Sequence, residues 1–169
     1  YGGWTVEGKA FGVRPSAGQG PGQTLGGHEG KGLVNTWTGT DELTGRLTSP
    51  PFAIERGYLN FLIGGGDYKS QTCVNLKVDG RVVHSAAGER TDAMSWRSFD
   101  VRRFAGKSAR IEIVDASTLG IAGLAGQVAN IILKQARKAG GQFEWRPDFR
   151  AHYSRPNLFR GNLSYTGRA

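Results

Sequence analysis

Five residues have the types that hold a sugar: His28, Glu29, Trp37, Glu89 and Arg97. An indole face stacks on the apolar side of a sugar ring, and carboxylate, imidazole and guanidinium groups bond its hydroxyls. They fall in separate stretches, so only a fold that gathers loops at one end or edge can bring them together. The stretches His28 to Lys31, Glu89 to Asp92 and Ala116 to Gly126 are the candidates for that gathering. Trp96 is a second indole, but strand alternation favours it as a core residue; Trp37 stays open between core and site.

No catalytic set accompanies them. The histidines His28, His84 and His152 have no metal-ligand spacing, and neither G-x-S-x-G nor a P-loop occurs. Gly64-Gly65-Gly66-Asp67 lacks the strand–loop–helix context of a phosphate cradle and reads as a turn. No acid stands in a recognisable glycosidase setting. The expectation is a protein that is not an enzyme, with no catalytic residue, no metal and no cofactor.

A second group lies at the C-terminal end: Phe143, Trp145, Arg146, Phe149, Arg150, Tyr153, Arg155, Phe159, Arg160 and Tyr165. Arginine and aromatic side chains are the types enriched at the centres of protein interfaces. The segment shows no strand or helix period, so it is expected to dock on another protein or to strap its own domain.

These residues must be positioned by β structure. Glycine numbers 27 in 169 residues, which suits many tight turns. Thr72 to Val78 and Arg81 to Ser85 flank Asp79-Gly80, the pattern of a two-residue hairpin. In Ser95 to Asp115, Trp96, Phe99 and Val101 mark one strand region, Gly106-Lys107-Ser108 turns the chain, and Ala109, Ile111 and Ile113 alternate with Arg110 and Glu112. Tyr58 to Ile63 reads as a central strand, ended by the glycines that follow. Tyr1 to Gly12 reads as an edge strand with Trp4, Val6 and Gly8 on one face. Leu33 to Trp37, Gly45 to Ser49, Phe52 to Ile54 and Gln127 to Leu133 read as strands, and Ala86 to Ala93 as a loop. Gly12 to Gly32 is a long loop, of the kind that is functional or mobile. The fold class expected is all-β, a jelly-roll β-sandwich over 1–133, with a basic linker at 134–141 and an extended, irregular tail at 142–169.

The net charge of +8 is uneven. Residues 1–133 hold 14 Lys and Arg against 12 Asp and Glu, whereas residues 134–169 hold 8 against 2. A basic face spread over the whole domain is thereby excluded, and nucleic acid is not an expected partner. The single cysteine, Cys73, forbids an internal disulfide and reads as a buried, inert thiol. No apolar run approaches the roughly 20 residues of a membrane-spanning helix. The chain starts at Tyr1, which reads as a processed chain.

An ordered string of short motifs carries a family likeness. It runs through Leu33-Val34-Asn35, Gly45 to Phe52, Ile63 to Gly66, Val78 to Val83, Trp96, Asp100-Val101 and Gly106-Lys107 to Ile113-Val114-Asp115. Over roughly residues 1–133 it resembles the β-sandwich modules attached to levanases and other family 32 glycoside hydrolases, carbohydrate-binding module family 66. The resemblance implies a jelly roll, a periplasmic or extracellular location and ancestry in binding fructan or other glycans. Two places depart from the pattern. The loop where relatives carry a Gly-Gly-Trp-Gly-His-like stretch reads Thr118 to Leu124 here, without Trp or His. The last strand has Ala129-Asn130 where relatives carry a pair of acids, and a structural calcium is common in such sandwiches. Arg146-Pro147-Asp148-Phe149 looks like the start of a family 32 catalytic module, but the Asn-Asp-Pro-Asn motif is absent. The leading expectation is a non-catalytic cell-envelope sandwich serving as a structural or interaction subunit, docked by its tail on a larger protein assembly with at most peripheral membrane contact. The alternative is a carbohydrate-binding module recognising fructan or another glycan end.

Overall fold

Strands here follow from apolar alternation interrupted by glycine and proline. The computed structural model describes residues 1–30 and 32–118, and the backbone of residues 127–130. In chain order the strands are β1 (Thr5–Gly8), β2 (Val34–Asn35), β3 (Gly45–Thr48), β4 (Phe52–Ala53), β5 (Tyr58–Gly65), β6 (Thr72–Val78), β7 (Arg81–Ala86), β8 (Thr91–Asp100), β9 (Ser108–Asp115) and β10 (Gln127–Asn130). A 3-10 turn, Arg102–Phe104, separates β8 from β9.

All pairings between these strands are antiparallel. One sheet has the order β1-β3-β9-β6-β7, with β4 beside β9; the other has the order β2-β10-β5-β8. Inward residues of both sheets meet in one core, from Leu47 of β3, Val74, Leu76 and Val78 of β6 and Ile111 and Ile113 of β9 to Leu59, Phe61 and Ile63 of β5 and Phe99 of β8. The architecture is therefore an all-β sandwich of jelly-roll type, as expected. Phe61, Leu47, Leu76, Ile111 and Ile113 are all completely buried. Each such side chain contributes about 1.5–3 kcal/mol of burial. Phe61 meets Phe99 edge to face at 4.9 Å between ring centres.

The hairpin forms where its turn predicts. Asp79 and Gly80 take φ of 51° and 77°, the left-handed values a two-residue turn between twisted strands needs. Other bounds differ from the sequence reading. β1 is only four residues, and Trp4 precedes it. β5 runs on through Gly64 and Gly65, where two glycines allow a close approach to β8: a Cβ on Gly64 would lie 3.1 Å from the Thr91 carbonyl oxygen. Thr91 to Ala93, read as loop, open β8 instead.

Trp96 is not in the main core. It lies three residues from Phe99, so strand alternation puts the two on opposite faces. It is half-buried in a second cluster with Leu25, Leu33, Leu62 and Met94, on the outer side of the four-stranded sheet. Part of the Gly12–Gly32 loop lies there. Its bridges run from Ser16 to Leu33 and from Gly26 to Ala93, and the Met94 amide donates to the Gly26 carbonyl at 2.8 Å. Cys73 is buried as expected, and desolvation raises its thiol pKa.

β7 and β8 end their respective sheets on the same side of the sandwich, and His84 joins them. Its ring stacks on Phe99 at 5.1 Å, stands edge-on to Phe104, and its Nε2–H donates to the Asp100 carbonyl at 2.9 Å. The Asp100 carboxylate accepts from the Arg102 side chain and backbone, which lowers its pKa to about 2.

Candidate functional site

The topology gathers several candidate stretches at one end. β2 and β5 end there, while β3, β6, β8 and β10 begin there. Trp37 follows β2 at one edge of the four-stranded sheet, and Glu89 precedes β8 at the other. Three strand spacings, about 14 Å, separate those edges. Arg97 and Glu89 form an ion pair, with their side chains 29% and 59% exposed. His28 is exposed and Glu29 half-buried, next to the Gly26–Gly27 segment that lies against Ala93 and Met94. The structure thus brings Glu89 and Arg97 together, sets the His28–Glu29 loop on the same strand's start, and leaves Trp37 on the far edge.

Trp37 is restrained rather than free to stack. Its Nε1–H donates to the Pro21 carbonyl at 2.6 Å. Gly20 passes so near that a Cβ there would sit 2.5 Å from the Trp37 carbonyl oxygen. The backbone N–H of Trp37 donates to Asn35 Oδ1 at 3.0 Å, and Asn35 Nδ2 donates to Gln23 Oε1 at 2.7 Å. Gln23 Oε1 also accepts from the Gly20 amide at 2.9 Å. Gln23 and Asn35 are buried, so this pair ties the long loop to β2. Sequence reading missed both; Gln23 is one of two glutamines in a Gly and Pro loop, and nothing local marks it out from Gln19.

A second polar site was also missed. Glu112 of β9 is buried. Asn75 Nδ2 donates to its Oε1 at 3.4 Å, and Lys77 Nζ and Arg46 Nη1 reach its Oε2 at 3.2 and 3.3 Å. A buried carboxylate is tolerated only with such partners. The partners come from β3 and β6, the strands on either side of β9. The signal in the sequence was the acid alternating with Ile111 and Ile113; its partners were not readable.

Among the described residues no group of three or more His, Cys, Asp or Glu side chains gathers as a metal site. The loop at Thr118 to Leu124 lies outside the described residues beyond Thr118, and the side chains of Ala129 and Asn130 lie outside them too. So do the linker 134–141 and every tail residue read as docking: Phe143, Trp145, Arg146, Phe149, Arg150, Tyr153, Arg155, Phe159, Arg160 and Tyr165. No described helix is long and apolar enough to cross a membrane.

No family model matches the chain. Over 160 residues it is 34% identical to a protein of Aspergillus rugulosus named as a glycosyl hydrolase, ecdE. That match takes in 94% of this chain and 23% of the other, so the chain spans about a quarter of that relative's length. Among solved structures, a family 35 carbohydrate-binding module from an environmental isolate is similar at 13% identity and a TM-score of 0.37, over 75% of this chain and 92% of that one. A GH26-CBM35 β-(1,4)-mannanase of Podospora anserina is similar at 12% identity and a TM-score of 0.32, over 79% of this chain and 29% of that one. Neither the relative nor these two structures is named as the levanase-attached type.

Proposed function

We propose that this chain is a non-catalytic carbohydrate-binding β-sandwich within a larger glycoside hydrolase. The observation that carries the reading is the match, along nearly its whole length, to about a quarter of a protein named as a glycosyl hydrolase. A sandwich that accounts for a minor part of such a protein fits an accessory role that holds the polymer near a catalytic part. Charged groups at its surface, the Glu89–Arg97 pair and the cations Arg46 and Lys77 beside the buried Glu112, are of types that bond hydroxyls. An exported location, periplasmic or extracellular, goes with the reading, because polymeric glycans are met outside the cell. The interaction-subunit reading rests on residues 142–169, and no described observation favours it.

The test is calorimetric titration of the 169-residue chain with levan, galactomannan and polygalacturonate, alongside an assay for newly formed reducing ends. Saturable heat with at least one polymer and no hydrolysis is the expected result. No heat with any of them overturns carbohydrate binding, and hydrolysis overturns the non-catalytic role.

A further inference from the structure

The outer side of the five-strand path carries a row of polar and charged groups. Register partners in a sheet share a face. Thr48 stands opposite Glu112, Glu112 opposite Asn75, and Asn75 opposite Ser85. These four form a row across β3, β9, β6 and β7, about 14 Å long at ordinary strand spacing. Arg46 lies on one side of the row, opposite Val114. Lys77 and Arg110, opposite one another, lie on the other side.

Like charges in direct register are unfavourable. This face nevertheless sets Lys77 across from Arg110 and adds Arg46, with Glu112 beside them and Glu7 at the β1 edge. Glu112 orders two of the cations through Oε2. Arg110 is held by its own bond, Nη1 to the Ser49 carbonyl at 2.8 Å. A guanidinium has five N–H donors and an ammonium three, so each cation keeps donors beyond the contact that positions it. The Arg46 and Lys77 side chains are 46% and 28% exposed, and Arg110 and Ser85 are exposed. No residue of the row or its flanks is aromatic, so ring stacking supplies nothing here.

Fixed cations beside hydroxyl groups suit a polymer carrying both negative charge and hydroxyls. Asn75 is buried and serves to hold Glu112. We propose that this face binds an acidic glycan, its carboxylate or sulfate groups meeting Arg46, Lys77 and Arg110 and its hydroxyls meeting Thr48 and Ser85. The inference rests on the carbohydrate-binding reading and gives that reading a face and a ligand class.

The experiment is affinity electrophoresis and calorimetry of the full 169-residue chain with polygalacturonate, dextran sulfate, levan and galactomannan, at low and moderate salt. Lys77→Ala and Arg110→Ala are compared with Arg81→Ala, which removes the same charge from the register partner of the core residue Val78. The expected result is binding of an acidic polymer that weakens with salt, and a loss of about tenfold in each face variant but not in Arg81→Ala. Preference between polygalacturonate and dextran sulfate separates carboxylate from sulfate recognition. Should Lys77→Ala fail to fold, Arg110→Ala, an exposed position, decides alone. Binding that is equal for neutral polymers, or that survives both face variants and is lost in Arg97→Ala, overturns the inference while leaving carbohydrate binding in place. Binding of none of the polymers overturns both.

Discussion

Glu112 offers the sharpest test of how the larger sheet is held. Its side chain is 6% exposed, while those of its cationic partners Arg46 and Lys77 are 46% and 28% exposed. Breaking a fully buried pair costs about 3–5 kcal/mol, because the surviving charge stays in a poor medium. Here the outcome depends on which partner is removed. In Glu112→Ala the cations can turn into water, and the main penalty is the buried Asn75 amide left with a donor unpaired, worth about 1–3 kcal/mol. Arg46→Ala or Lys77→Ala alone leaves the carboxylate one cation and should cost no more than about 1 kcal/mol. The double variant strands Glu112, and the full cost of about 3–5 kcal/mol should appear. The double loss therefore exceeds the sum of the singles by more than 1 kcal/mol, a coupling expected of groups sharing one network. Urea unfolding of the 169-residue chain measures this, provided the m-value stays constant across the set. Additive losses within about 0.5 kcal/mol would refute the reasoning, because they would mean that water already reaches the carboxylate.

Three further outcomes are expected. Phe61→Ala, at a fully buried site against Phe99, should cost about 3–5 kcal/mol in urea unfolding, and a loss below about 1 kcal/mol would show that the core collapses around the gap. Gly88→Ala should cost about 1–3 kcal/mol by the same measurement, since its Cβ would lie 2.4 Å from the Gly65 carbonyl oxygen and backbone cannot give way cheaply. Asp100 is held at a pKa of about 2, below its unfolded value near 4, so its contribution is full above about pH 4 and lost as pH falls toward 2. Thermal melts of Asp100→Asn should decline less steeply over that range; superimposable acid limbs for the two proteins would contradict the depressed value.

The sheet faces were readable where side chains alternate and a turn is spelled out. Asp79-Gly80 announces the β6–β7 hairpin, and Ile111 and Ile113 against Arg110 and Glu112 show which side of β9 meets the core. The parity of β8 was also available: Trp96 and Phe99, three apart, cannot both point inward. What periodicity does not contain is register between strands remote in sequence. The cations on Glu112 come from β3 and β6, and the tie between Gln23 and Asn35 joins a loop to a strand. The same limit governed the candidate sugar residues. Loop composition suggested that the His28 and Glu89 stretches share a region, but only the strand order puts Trp37 on the opposite edge and the Glu112 cluster on the other sheet.

Strand β9 has a consequence for how the chain reaches this state. It lies inside the larger sheet, paired with β3 and β4 on one side and with β6 on the other, yet it is the last strand of that sheet to be synthesised. Until Ser108–Asp115 emerges, only the β6–β7 hairpin has a local partner, and a lone hairpin is marginal in water. Joining β3 to β9 closes a long stretch of chain, which places this protein among the slow folders with many non-local contacts. A nascent chain halted before Ser108 would display the unpaired edges of β3 and β6 with their apolar faces uncovered, a state prone to aggregate. Assembly of the larger sheet should therefore begin late in synthesis, with the arrival of β9 as its gate, and the smaller sheet waits longer still, for β10 to enter between β2 and β5.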